Sequence, residues 1–142
     1  MTKSGFAEMH QRGFDTDTHV LFTQSALLAY DHRCAITGRK FEPSGNALHP
    51  DLTVFLFQPL AHGGRWDFGN AVVVDIAAAS LLGKGILLVD DDYQAFIAQP
   101  VMLDSSATGP ASGERPLVLP QDPGIWPTRQ ALAYHRSLFR VQ

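Results

Sequence analysis

Apolar residues at Val20, Leu21, Ala26, Leu27, Leu28 and Tyr30 recur at spacings of three to four, with Asp17 or Thr18 where an N-cap belongs. That pattern predicts an amphipathic helix closed by Asp31-His32-Arg33. Arg33 to Gly38 then reads as a short apolar segment ending in a glycine turn, and residues 42–51, rich in Pro, Gly and Asx, as a loop. Leu52 to Phe57 predicts a strand, stopped by Pro59. It does not alternate: Val54, Phe55, Leu56 and Phe57 are all apolar, so both faces require burial in a core or a partner interface. Leu60–Gly69 is a glycine-rich loop, and Asn70–Val74 a second, β-branched strand. Asp75 stands at the N-cap of an alanine-rich helix over Ile76–Leu82, with Gly83 as its C′ residue.

Ile86–Val89 and Tyr93–Ala98 flank Asp90-Asp91-Asp92 and predict a further hairpin. Residues 104–116 are dominated by Ser, Gly, Pro and Thr and read as a surface loop. Trp126-Pro127-Thr128 opens a last helix with Pro near N1, anchored by Leu132, Leu138 and Phe139 and extended by Ala131 and Tyr134. The order is helix, strand, loop, strand, helix, hairpin, helix. This is an α+β pattern, without βαβ repeats or internal duplication, in one domain over 17–142 behind a polar leader at 1–16.

Composition changes that picture little and narrows the function. The 142 residues are 45% apolar and 18% charged, as in a soluble globular protein. No apolar run is long enough to span a bilayer and the leader has no signal-peptide core, so a cytoplasmic protein with no membrane partner is expected. A lone Cys34 excludes an internal disulfide and a Cys-rich zinc site, and reads as a small buried hydrophobe. With a net charge of −3 and basic residues scattered along the chain, DNA binding is not favoured, since phosphate neutralisation supplies most such affinity.

Several segments in order resemble one family. Tyr30-Asp31-His32-Arg33-Cys34-Ala35-Ile36-Thr37-Gly38 is similar to the stretch leading into the metal-binding hairpin of HNH proteins of the restriction-endonuclease kind. Pro59-Leu60-Ala61-His62-Gly63-Gly64 resembles their hairpin loop, and Asn70 their central asparagine. Gly85 to Tyr93 resembles the hairpin after the helix, while Pro120, Asp122-Pro123, Trp126-Pro127 and Leu132-Ala133-Tyr134-His135-Arg136 resemble the C-terminal segment. The resemblance covers roughly 19–140. It implies an HNH-like ββα core, a β-hairpin plus short helix, wrapped by N- and C-terminal helices and one additional hairpin.

It also implies a chemistry, and here the chain departs from the family. A histidine at the end of the first strand should activate water, an asparagine should hold the loop, and a histidine on the following helix should help bind a divalent metal. The first position is Leu56, the third is Ala79, and the neighbouring Phe55 is apolar; only Asn70 remains. No catalytic residue, metal ligand or cofactor is therefore expected, and the former site reads as packed shut.

Three functions follow. The first is an inactive HNH-like module that binds its own copy or a partner protein through Phe55, Leu56 and Phe57. The second is a non-cleaving DNA-binding module, with Arg65 and Arg136 as candidate phosphate contacts. The third is an active endonuclease with a divalent metal held by relocated ligands, His62 with Asp67 or Asp75. Other features have plainer readings. His32 sits at a helix C-terminus, where positive charge is favourable, and His135-Arg136 reads as a solvated helix face. Asp90-Asp91-Asp92 reads as a turn, His49 has no role, and Lys84 lacks the surroundings of a phosphate loop.

Overall fold

Strand β1 (Leu52–Leu56) pairs antiparallel with β2 (Ala71–Asp75), Leu52 opposite Asp75 and Leu56 opposite Ala71. A computed structural model describes residues 16–43, 48–98 and 114–139, excluding the side chains of 16 and 17. Ala71 to Val74 are all buried, so β2 is covered on both faces, as its unbroken apolar run requires. The chain passes from β2 directly into helix α2 (Ile76–Gly83), where the Asp75 carboxylate accepts from the Ala78 N–H at 2.7 Å. That cap satisfies one of the amides that open every helix.

Helix α1 (Thr16–Ala29) packs on this hairpin through Ala26 and Leu27, and Tyr30 just beyond it is also buried. Three expectations are corrected here. Asp17 and Thr18 lie inside the helix rather than capping it. Leu21 and Leu28 are each 62% exposed, because residues seven apart share one face and the hairpin covers the opposite one. Asp31 and His32, both in the left-handed region (φ 56° and 55°), turn the chain inward, so His32 is buried with no partner on Nε2. Beyond them Arg33 bridges Lys40, with Gly38 (φ 79°) completing the turn. Ala35 joins the units, donating to Val73 O at 2.8 Å and accepting from Val118 N at 2.8 Å.

A second sheet holds β3 (Leu87–Val89), β4 (Gln94–Ile97) and β5 (Arg115–Pro116) in that order, all antiparallel. Asp90 makes the expected turn, its carboxylate accepting from Asp92 N and Gln94 N at 2.8 and 3.0 Å. The loop expected over 104–116 ends early, since Arg115 and Pro116 pair with β4; residues 104–113 lie outside the described ones. Gly83 is not the C′ residue but the last residue of α2. The left-handed glycine is Gly85 (φ 74°), where a Cβ would collide with the Phe139 ring.

Helix α3 (Arg129–Leu138) closes the molecule. Its N-cap is Thr128, whose hydroxyl accepts from Ala131 N, so Pro127 precedes the cap instead of opening the first turn. Leu132 and Ala131 are buried, Phe139 is half-buried, and Leu138, expected as an anchor, is 38% exposed. The architecture is α+β, three α-helices against two small antiparallel sheets among the described residues. No helix among them is long and apolar enough to cross a membrane.

Candidate functional site

Residues alternate across a strand, so Phe55 and Phe57 share one face of β1 and Leu56 takes the other. Helix α3 covers the phenylalanine face. The His135 ring lies 5.3 Å from Phe55 and 5.5 Å from Phe57, edge to face, and Phe139 stands 5.4 Å from the same imidazole. Phe57 is fully buried, while Phe55 and Leu56 are half-buried. The expected apolar interface is therefore corrected: Phe57 belongs to the core, and Phe55 presents part of its ring to another helix of the same chain.

His135 itself overturns the expectation of a solvated face, being 2% exposed. Its Nε2–H donates to Leu82 O at 2.8 Å, and its Nδ1 has no partner. Burial above all holds its pKa below the ordinary imidazole value; Arg136 lowers it further and the Leu82 carbonyl opposes the shift. The sequence carried a signal for this. Leu132, His135 and Phe139, spaced three and four apart, form one stripe of α3, and a histidine inside such a stripe inherits its burial.

Asn70 is tied at all of its side-chain groups. Its Oδ1 accepts from Gln58 N at 2.8 Å, and its Nδ2 donates to Gln58 O at 2.9 Å and Arg65 O at 3.1 Å. The asparagine clamps the two ends of the long hairpin loop, leaving no side-chain atom free for chemistry. Gly64 sits under this clamp, so close to the Gln58 carbonyl that no Cβ would fit.

The relocated metal set does not come together. His62 ends a short 3-10 turn over Leu60–His62 and is exposed, its Nδ1 2.8 Å from the Tyr134 hydroxyl. Asp67 accepts from Gly69 N at 2.8 Å, capping a second 3-10 turn. Asp75 lies at the opposite end of β2 from the loop, about 13 Å along an extended strand, and is engaged by α2. Among the described residues no group of three His, Cys, Asp or Glu side chains could hold a metal ion. Leu56 and Ala79, half-buried on β1 and α2, offer no donor atoms. These residues do not fit a divalent metal.

The two candidate phosphate contacts part company. Arg136 is committed: it donates to Val89 O at 2.7 Å and pairs with Asp91 at 2.9 Å, with 12% of its side chain exposed, so that expectation is corrected. Arg65 is exposed and only its backbone oxygen is bonded among the described residues. It borders a cleft of about 540 Å³ between the hairpin loop and the start of α3, together with Gln58, Asn70, Thr128, Gln130 and Tyr134. The loop is held from the other side by Trp66, which stacks on His19 of α1 at 4.5 Å, a contact the sequence pattern did not suggest.

No family model matches the chain, and no curated protein matches it by sequence. Among solved structures it is similar to a modification-dependent TagI restriction endonuclease, with a TM-score of 0.59 and 17% identity, over 83% of this chain and 37% of that one. The chain thus spans little more than a third of that enzyme's length. At this identity the likeness speaks for the fold alone: the α+β arrangement of this chain is shared with part of that enzyme.

Proposed function

We propose that this chain is a degenerate HNH-endonuclease-like protein that does not cleave DNA and works as a protein-interaction or regulatory module related to restriction nucleases. The observation that carries the reading is the end of β1. Leu56 stands three residues before Pro59, where the resemblance puts the base, while Asn70 three-fold bonds the loop beside it. Ala79 stands on α2 where the resemblance puts the metal-binding histidine, and Phe55 is packed against His135. Neither leucine nor alanine can take a proton from water or hold a cation. Loss of one general base costs about 10²- to 10⁴-fold in rate, and groups acting as a unit are not rescued singly.

A plasmid-nicking assay with Mg²⁺, Mn²⁺, Ni²⁺ and Zn²⁺ in turn tests this. The expected result is no nicking above the metal-only blank. Nicking that disappears in His62→Ala would restore the reading with relocated ligands. DNA docking without cleavage would instead appear as affinity that falls steeply with salt and is reduced in Arg65→Ala.

The partner half of the proposal is tested separately. Size-exclusion chromatography with light scattering is expected to show a species larger than the 15.5 kDa monomer, returned to monomer by Leu56→Asp on the half-buried face of β1. A wild-type chain that stays monomeric at high concentration removes self-association and leaves only a different protein as partner.

A further inference from the structure

The last turn of α3 is held at two points, the Arg136 bonds to Val89 O and Asp91 and one buried imidazole. His135 donates from Nε2 to one of the closing carbonyls of α2, Leu82 O, while three phenylalanine rings, Phe55 of β1, Phe57 just past its end and Phe139 at the C-cap of α3, surround it. Nδ1 is buried and bare. In the neutral ring Nδ1 carries only a lone pair, whose loss of water is a modest penalty. A proton there would add a charge and an N–H with no acceptor in an apolar box, which is far worse.

The charges on the surrounding elements give the proton no help. β1 has none from Leu52 to Phe57. α2 carries Asp75 at its far, N-terminal end and exposed Lys84 just past its C-terminus. In the β3–β4 turn, Asp91 is already paired with Arg136, and Asp90 is occupied by backbone amides. On α3 itself the adjacent charge is Arg136, of the same sign as the incoming proton. Among the described residues no carboxylate bonds the ring.

We propose that His135 is a proton-operated latch, which holds the last turn of α3 against β1 and α2 while uncharged and, when protonated, leaves residues 135–139 tethered only by the Arg136 bonds to Val89 O and Asp91, loosening the cover over Phe55 and Phe57. The N-terminal half of α3 has independent anchorage in buried Leu132, the Thr128 cap and the Tyr93 hydroxyl, which donates to Pro127 O at 2.8 Å, so the opening is local. The sign follows from linkage. The closed ring binds a proton less readily than the open one, so the closed state is fully favoured above the ordinary imidazole value of 6.5 and loses ground as pH falls below it. Each unit separating the two pKa values is worth a tenfold change in the opening equilibrium. The latch rests on packing alone and stands whether or not the chain cleaves DNA.

Amide hydrogen exchange of the whole chain at about pH 7.5 and about pH 5, corrected for intrinsic rates, tests it. Protection of residues 135–139 is expected to fall on the order of tenfold in acid while α1 keeps its protection. His135→Gln, which retains a donor for Leu82 but cannot charge, should be flat across this range, as should His135→Phe if the glutamine variant folds poorly. His32→Gln, removing the other buried imidazole, should leave the response intact. Three results overturn the latch: a flat wild type, an equal acid response in both His135 variants, or equal loss of protection in α1, which would mean global acid unfolding.

Discussion

Phe57→Ala is expected to destabilise the protein by about 3–5 kcal/mol, the cost of deleting a fully buried ring and leaving a cavity. A domain of this size has about 5–15 kcal/mol in total, so the variant sits near the edge of folding. The cost has two identifiable parts. Phe57 lies in the main core, at 0% exposure, and it also meets Phe55 and His135 edge to face at 5.5 Å each. Leu56→Ala, one residue earlier, is expected to cost only about 1–1.5 kcal/mol, because that side chain is half in solvent. Urea denaturation of the two variants reads the difference as a shift in midpoint at constant slope. Equal losses would mean that both faces of β1 are core, and would remove Leu56 as a contact surface. The comparison therefore bears on function as well as on packing.

Gly64→Ala is the second large effect, and it acts through the loop clamp. A Cβ at this position would overlap the Gln58 carbonyl oxygen, stand 2.7 Å from its carbon and reach 3.0 Å from Asn70 Nδ2. The obstruction is backbone, so no rotamer change relieves it. Either strand end must move, which breaks the Gly64 N–H to Pro59 O bond of 2.9 Å or the Asn70 bonds to Gln58. Overpacking of about 1–3 kcal/mol plus one or two hydrogen bonds of about 1 kcal/mol each gives a loss near 3 kcal/mol. For this chain length that is a drop in Tm of about 10 °C. Gly83→Ala is the matched control. Nothing lies within 4 Å of its would-be Cβ, and in a helix alanine is favoured over glycine by about 0.5–1 kcal/mol, so that variant should melt slightly higher. A Gly64→Ala protein melting within a degree of wild type would show that the clamp is soft.

What was legible in the sequence was local. The strand at Leu52 needed no alternation to be read, because its apolar run and Pro59 bound it; the structure ends it at Leu56. Asp75 was recognisable as a cap because the residue type and its place before an alanine-rich run state the hydrogen bond it makes. Cys34 is buried as its type suggested, and the aspartate turn at 90 closes a hairpin for the same local reason. The absence of donor atoms at Leu56 and Ala79 is likewise a property of side-chain chemistry, and no fold could change it.

Long-range packing decided the rest. Whether His135 faced water depended on which stripe of α3 met the hairpin, and that in turn on Phe55 and Phe57 lying on one face. Arg136 was a free cation in the sequence and a bound one in the structure, because Val89 and Asp91, 47 and 45 residues away, reach its guanidinium. His62 could be set beside Asp67 and Asp75 on paper, yet the length of β2 holds Asp75 at the far end of the hairpin. The apolar strand that the sequence offered as either core or surface was divided between them residue by residue. One face is closed by α3, and the other leaves Leu56 half in water. Residue type determined that Leu56 and Ala79 bring no donor atoms to β1 and α2. Only the docking of a helix some 75 residues further along the chain determined what filled the space beside that strand, since burial is a property of contacts between distant segments and not of any one of them.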